Sequence, residues 1–129
     1  MTRVGDVLAG LSVLVVEDEF LIAQEIRLAL MERGCVVIGP VGSIAEALAQ
    51  VEAAPPEAAV LNARLADGRV TPVAEALTAR GVPFALATGY SESLGPAFEH
   101  APRVTKPFSD EELLCALRQA MQPGRNHRA

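Results

Sequence analysis

The chain has 129 residues, half of them hydrophobic, and this length corresponds to about one domain with room for a sizeable core. Its formal net charge of −5 argues against nonspecific nucleic-acid binding, which needs a basic face. No apolar run is long enough to span a membrane or to act as a signal peptide, so we expect a cytoplasmic protein that binds neither nucleic acid nor membranes.

The first predicted element is a buried strand that ends in three carboxylates. Residues 13–16 are all Val or Leu, and Glu17, Asp18 and Glu19 follow directly. A continuous apolar run of this kind is typical of a parallel strand covered on both faces, and ligands bind beyond the carboxyl ends of such strands. Carboxylate oxygens there suit Mg²⁺. The alternative is that the three carboxylates only open the next helix, where the macrodipole favours negative charge.

Helices and short apolar strands then alternate through the first half of the chain. Apolar residues at helical spacing predict a first helix that stops at Gly34, followed by a short buried strand at residues 35–39 that Pro40 closes. Ser43 and Glu46 form a capping box that opens the second helix. A third strand at residues 58–61 ends at Asn62.

The second half repeats the alternation. A turn at residues 67–68 precedes a third helix, with Thr71 as its N-cap, and a fourth strand at residues 83–87 ends at Thr88. Residues 91–99 form a poor helix because Gly and Pro interrupt it. A brief strand at residues 103–105 leads to Lys106, and a second capping box at Ser109 opens the last helix.

Domain boundaries and cysteines complete the prediction. We assign residues 1–122 to one domain and residues 123–129, which begin with Pro and Gly, to a flexible C-terminal tail. Cys35 lies in an apolar run and Cys115 in a helical pattern. Two reduced, buried thiols are therefore expected rather than a disulfide or a metal pair.

Five strands alternating with five helical segments predict an α/β fold, a doubly wound (βα)5 parallel sheet. With the strand order 2-1-3-4-5, the switch point lies between the first and third strands. The acidic pair and Asn62 then face one crevice, and Thr88 and Lys106 end the neighbouring strands. The convergence of these tips is more specific than any single motif.

With these motifs in place, the sequence resembles the receiver domain of bacterial response regulators, the flavodoxin-like phosphoacceptor module of two-component signalling. Residues 15–18 resemble the family's acidic pair, residues 86–89 its hydroxyl-bearing strand end, and residues 104–108 its lysine loop. The resemblance implies a Mg²⁺ site made by Glu17, Asp18, position 62 and the backbone carbonyl of Arg64. It also implies that Thr88 and Lys106 contact a phosphoryl group, and that the Lys106–Pro107 bond is cis.

Two positions depart from the family pattern. Asn62 stands where the family has the aspartate that takes the phosphoryl group, and Arg103 stands where it has an aromatic switch residue. An amide lacks the charged oxygen and the available lone pair that attack on phosphorus requires. We therefore expect no phosphorylation, and weak or absent Mg²⁺ binding because one of three negative charges is missing.

Each remaining side chain also has a plain structural interpretation. Thr88 can satisfy a backbone group at a strand end, Lys106 can neutralise the acidic tip, and Arg103 can be a solvated charge on an edge strand.

The leading hypothesis is a receiver-like signalling module that is not an enzyme and acts by binding a protein such as a histidine kinase. The surface formed by residues 91–99, the fifth strand and the last helix is its expected docking or homodimer face. A second interpretation is a phosphorylation-competent receiver with an engineered Asp-to-Asn substitution at Asn62. A third is a small Mg²⁺-dependent phosphoryl hydrolase that uses Asp18, although neither His100 nor His127 follows a strand as its general base would.

Overall fold

A computed structural model describes residues 7–89 and 95–122. The strands are β1 (Ser12–Val16), β2 (Val36–Val41), β3 (Ala58–Asn62), β4 (Arg64–Leu65), β5 (Gly68–Arg69), β6 (Phe84–Thr88) and β7 (Arg103–Thr105). The helices are α1 (Phe20–Glu32), α2 (Ile44–Ala53), α3 (Thr71–Ala79) and α4 (Asp110–Met121), with a 3₁₀ turn at Pro96–Phe98. Five parallel strands form one sheet in the order β2-β1-β3-β6-β7, which confirms the predicted flavodoxin-like topology. The pair β4-β5 is a separate antiparallel hairpin.

The central strands divide the core into two layers because successive side chains point to opposite faces of the sheet. In β1, Val13 and Val15 pack with the buried residues of α1 and α4, whereas Leu14 and Val16 pack with those of α2 and α3. All residues of β3 and β6 are buried. The two-sided burial explains the absence of polar alternation in these segments.

The second strand differs from its prediction. It continues through Pro40 to Val41 and its residues are exposed or half-buried, so the prediction of a buried strand closed by Pro40 was wrong. The reason is its place at the sheet edge, where β1 is its partner and a proline need not donate to a neighbouring strand. The Gly39–Pro40 bond is cis, as is Lys106–Pro107.

Local predictions at the helix ends and cysteines have mixed outcomes. Cys35 is buried as predicted, but Cys115 is exposed on α4, so the prediction of a second buried thiol was wrong. The Ser109 capping box is reciprocal, as predicted. Thr71 lies inside α3 and Val70 takes the N-cap place, one residue earlier than predicted.

Parts of two predictions lie outside the described residues. Of the predicted poor helix at 91–99, residues 91–94 are not described, and Pro96–Phe98 forms the 3₁₀ turn. Phe98 there is buried and meets Phe84 edge to face, with ring centroids 6.3 Å apart. The predicted tail at 123–129 also lies outside. Within the described ranges, no helix has the length and apolar character needed to cross a membrane.

Candidate functional site

The strand tips that carry the predicted site residues are neighbours in the sheet. Val16 is in register with Leu61, Asn62 with Ala87, and Thr88 with Thr105, so the chain leaves β1, β3, β6 and β7 at one edge. Glu17, Asn62 and Thr88 are the buried polar residues among the described part of the chain. The buried polar side chains therefore lie together at the carboxyl ends of the strands, next to an apolar core.

Lys106 is held against the acidic tip by its backbone and by its charge. Its backbone N–H donates to the carbonyl of Thr88 at 2.8 Å, which fixes the loop after β7 to the end of β6. Its ammonium lies 3.0 Å from Oε1 of Glu17 and 3.7 Å from Oε1 of Glu19. The Glu17 side chain is fully buried, so this ion pair offsets a charge that water does not reach.

Asn62 turns its amide nitrogen, not its oxygen, toward the acidic pair. Nδ2 donates to Oε2 of Glu17 at 3.1 Å and lies 3.5 Å from Oδ1 of Asp18. A Mg²⁺ ligand at position 62, which the resemblance implies, would require the amide oxygen instead. With carboxylates on two sides, the donor end of the amide is the end that electrostatics favours there.

The hairpin β4-β5 completes the site, and sequence reasoning missed this contribution. Ala66, in its turn, donates its backbone N–H to Oδ2 of Asp18 at 2.9 Å. The next residue, Asp67, accepts from the Ile44 N–H at 3.2 Å and so binds the hairpin to the start of α2. The signal was the Asp67–Gly68 pair, which predicted a turn but not what the turn would contact.

The alternative that the three carboxylates simply open the next helix does not describe their contacts. Glu19 takes the N-cap place of α1 without a side-chain capping bond, and the first turn holds no acidic residue. Its own N–H donates at 3.1 Å to Oε2 of Glu17. The carboxylates of Glu17 and Asp18 are thus bound within the strand-tip cluster.

The arrangement fits Mg²⁺ poorly. Each carboxylate oxygen of Glu17 and Asp18 faces a donor inside the protein: the Lys106 ammonium, the Asn62 amide or a backbone N–H. The residues that the structure describes contain no group of three or more His, Cys, Asp or Glu side chains placed to hold a metal ion. A cation would have to displace the donors that already neutralise these oxygens.

The other predicted site residues lie near the cluster or at its border. Thr88 is 2% exposed and ends β6. Arg64 is exposed in β4, opposite Arg69. Arg103 is an exposed residue that begins β7 in register with Leu86, two positions before the strand tip.

Burial raises the pKa of Glu17 above its ordinary value, although hydrogen bonding and charge from Lys106 and the Glu19 N–H oppose the rise. A raised carboxyl pKa means that the folded state holds the proton more tightly than the unfolded chain does. The stabilisation that protonated Glu17 contributes to the fold is therefore fully present below the pKa of the unfolded chain, roughly 4.3. It is lost as the pH rises through the pKa of the folded state.

A Glu17→Gln variant tests the direction of this pH dependence of stability. It cannot ionise at position 17, so its stability relative to the unmodified protein should increase as pH rises from acidic to neutral. Denaturant unfolding of both proteins across that range measures the difference. A relative stability that falls with rising pH would instead mean that the ion pair with Lys106 outweighs burial.

No protein-family model matches the chain, and no curated protein does. Solved structures do. The solution structure of SdrG from Sphingomonas melonis Fr1 is 40% identical, with a TM-score of 0.73 over 86% of this chain and 98% of that one. The BeF3-activated conformation of SdrG from Pseudomonas melonis Fr1 is also 40% identical, with a TM-score of 0.70 over 85% and 95% of the two chains. The REC domain of the Erythrobacter litoralis PhyR response regulator is 26% identical, with a TM-score of 0.78 over 89% and 92%.

The sheet order, the cluster of polar strand tips and these likenesses agree. The chain belongs to the receiver-domain family of response regulators. Within that family it is similar to SdrG and to the receiver of PhyR, and the sequence-based resemblance to receivers is confirmed at this level.

Proposed function

We propose that this receiver domain does not take up a phosphoryl group and acts in two-component signalling by binding a protein partner. The proposal rests on one observation. Asn62 occupies the tip of β3, where receiver domains have the aspartate that takes the phosphoryl group, and its amide nitrogen donates a hydrogen bond to Glu17. An amide that donates through its nitrogen cannot serve as an anionic nucleophile toward phosphorus.

The contacts around Asn62 support a second part of the proposal, that donors of the protein itself offset the negative charges of Glu17 and Asp18. Lys106 and the Asn62 amide place donors on Glu17, and Ala66 places one on Asp18. In a receiver that works by phosphorylation, such groups must rearrange around the incoming phosphoryl group. Because a cation would have to displace these donors, we infer that Mg²⁺ binds weakly or not at all.

The direct test is incubation of the purified chain with acetyl phosphate and Mg²⁺, and separately with an active histidine kinase, followed by intact-mass measurement. We expect no adduct. SdrG, a relative for which a BeF3-activated conformation is known, is the matched positive control. A stoichiometric adduct that hydroxylamine removes would refute the proposal.

The same contacts argue against the hydrolase hypothesis, and we propose that the chain is not an enzyme. Asp18, the residue that a hydrolase would use, accepts from the Ala66 N–H and borders the Asn62 amide. His100 is exposed in the turn after Pro96–Phe98, and His127 lies outside the described residues. Among the described residues, no histidine therefore lies beside the acidic pair to act as its general base.

The proposed partner is a histidine kinase or another signalling protein of the cytoplasm. The surface predicted for docking or homodimer formation comprises Pro96–Phe98, β7 and α4 in the structure. Its described residues include no strongly exposed large apolar side chain, since those lie near the N-terminus, on α1 and on β2. A partner on the predicted face would thus be held mainly by polar contacts.

A further inference from the structure

Helix α1 exposes large apolar side chains on the face that points away from the sheet. Its inner face, with Ile26 and Leu30, is buried in the core. On its outer face, Leu21 is 75% exposed, Leu28 52% and Met31 49%, and Phe20 at its start is 71% exposed. A helix that is apolar on both faces is usually covered on both. The outer face is therefore unusual for a surface that meets only water.

The exposed residues recur at the spacing of a helix-pairing seam. Residues 21, 24, 28 and 31 are separated by three, four and three positions, which is the a/d pattern of two heptads. The a positions are Leu21 and Leu28, and the d positions are Gln24 and Met31. Arg27 lies along both d residues, with Nε 3.0 Å from Oε1 of Gln24 and Nη1 3.1 Å from Sδ of Met31.

The charges that flank this seam are complementary to a second copy of it. Arg27 falls at position g on one side, and Glu25 and Glu32 fall at position e on the other. In a parallel pair of helices, position g of one chain faces position e of the next heptad in its partner. Arg27 of each copy then meets Glu32 of the other. An antiparallel pair would instead place position g beside position g and position e beside position e, so Arg27 would lie on the side of the other Arg27 and away from Glu32.

We propose that α1 pairs in parallel with α1 of a second copy of this chain through the seam of Leu21, Gln24, Leu28 and Met31. A 13-residue helix is about 20 Å long, so the contact is smaller than a standard stable interface. Association is accordingly expected to be weak and reversible. The inference does not depend on the absence of phosphorylation.

Sedimentation velocity of the full chain at concentrations up to about 1 mM tests the seam. The unmodified protein should shift from monomer to dimer, and Leu28→Lys should weaken dimerisation at least tenfold. Val36→Lys is the matched control, because Val36 is an apolar residue of 58% exposure on the edge strand β2 and should leave dimerisation unchanged. A purely monomeric chain, or equal effects of both variants, would overturn the proposal.

Exchanging the charges of Arg27 and Glu32 tests whether the partner of α1 is the α1 helix of a second copy. Arg27→Glu and Glu32→Arg should each dimerise poorly alone, because every cross-chain pair is then between like charges. An equimolar mixture should dimerise again, since each pair then joins opposite charges. Failure of the mixture to recover, with both variants folded by circular dichroism, would mean that α1 does not face a second α1 and is covered by another segment or protein.

Discussion

Replacing Asn62 with aspartate should make the domain accept a phosphoryl group from acetyl phosphate, a change from no labelling to near-complete labelling. The carboxylate at position 62 would supply the missing nucleophile at the tip of β3. The rest of what the reaction needs is near it: Lys106 can pair with a phosphoryl oxygen, and Thr88 ends the adjacent strand. The substitution changes an amide for an isosteric acid, so the fold need not adjust.

Intact mass after incubation with acetyl phosphate and Mg²⁺ measures the gain, and a chelator should abolish it. The double variant Asn62→Asp with Asp18→Asn is the matched control, because it keeps the new nucleophile and removes half of the acidic pair. It should label much less. A folded Asn62→Asp protein that remained unlabelled would show that the site geometry has drifted along with the nucleophile.

Restored labelling need not restore a conformational response. In the receiver family, an aromatic residue that precedes the lysine loop responds to the hydroxyl-bearing residue at the end of the neighbouring strand. Arg103 occupies that place and is exposed at the start of β7. Position 103 therefore offers no ring that a movement of Thr88 could draw into the core, and labelling and partner binding should be measured separately.

The sheet and the position of the site could be predicted from sequence because burial on both faces leaves a simple pattern. Val13 to Val16 and residues 58–61 are apolar without alternation, and in both segments the first polar residue marks the strand tip. The parallel topology then brings Glu17, Asn62 and Lys106 together. The residue types at the strand tips can be read directly from the sequence, and the parallel topology places those side chains close together.

What could not be predicted depends on contacts between distant segments. The direction of the Asn62 amide is set by the Glu17 and Asp18 oxygens, 45 and 44 positions away in the chain. The N–H of Ala66 carries no signal in its residue type, because every residue other than proline has one. The exposure of Cys115 depends on which face of α4 meets the sheet. For β2, the edge position followed from strand order, but its exposure and its passage through Pro40 did not.

Asn62→Asp should also make thermal stability depend on Mg²⁺, whereas the unmodified protein should show almost no dependence. In the variant, Glu17 and Asp18 lose the amide donor and meet a third carboxylate instead. Loss of a hydrogen bond to a charged group typically costs about 1–3 kcal/mol, so the variant should be less stable in a chelator by that amount. In a domain of this size, this corresponds to a fall in Tm of roughly 4–12 °C.

Magnesium should reverse that loss in the variant alone. Three carboxylates that no longer share the Asn62 amide donor form the all-oxygen ligand set that Mg²⁺ prefers. A ligand present at a hundred times its Kd stabilises a fold by about 2.7 kcal/mol. Differential scanning calorimetry of both proteins, with chelator and across a Mg²⁺ series, measures the effect, and Ca²⁺ and Na⁺ series at equal ionic strength control for screening. Equal Mg²⁺ stabilisation of both proteins would mean that the Asn62 amide turns over to bind the cation through its oxygen, and that the internal donors yield to the metal.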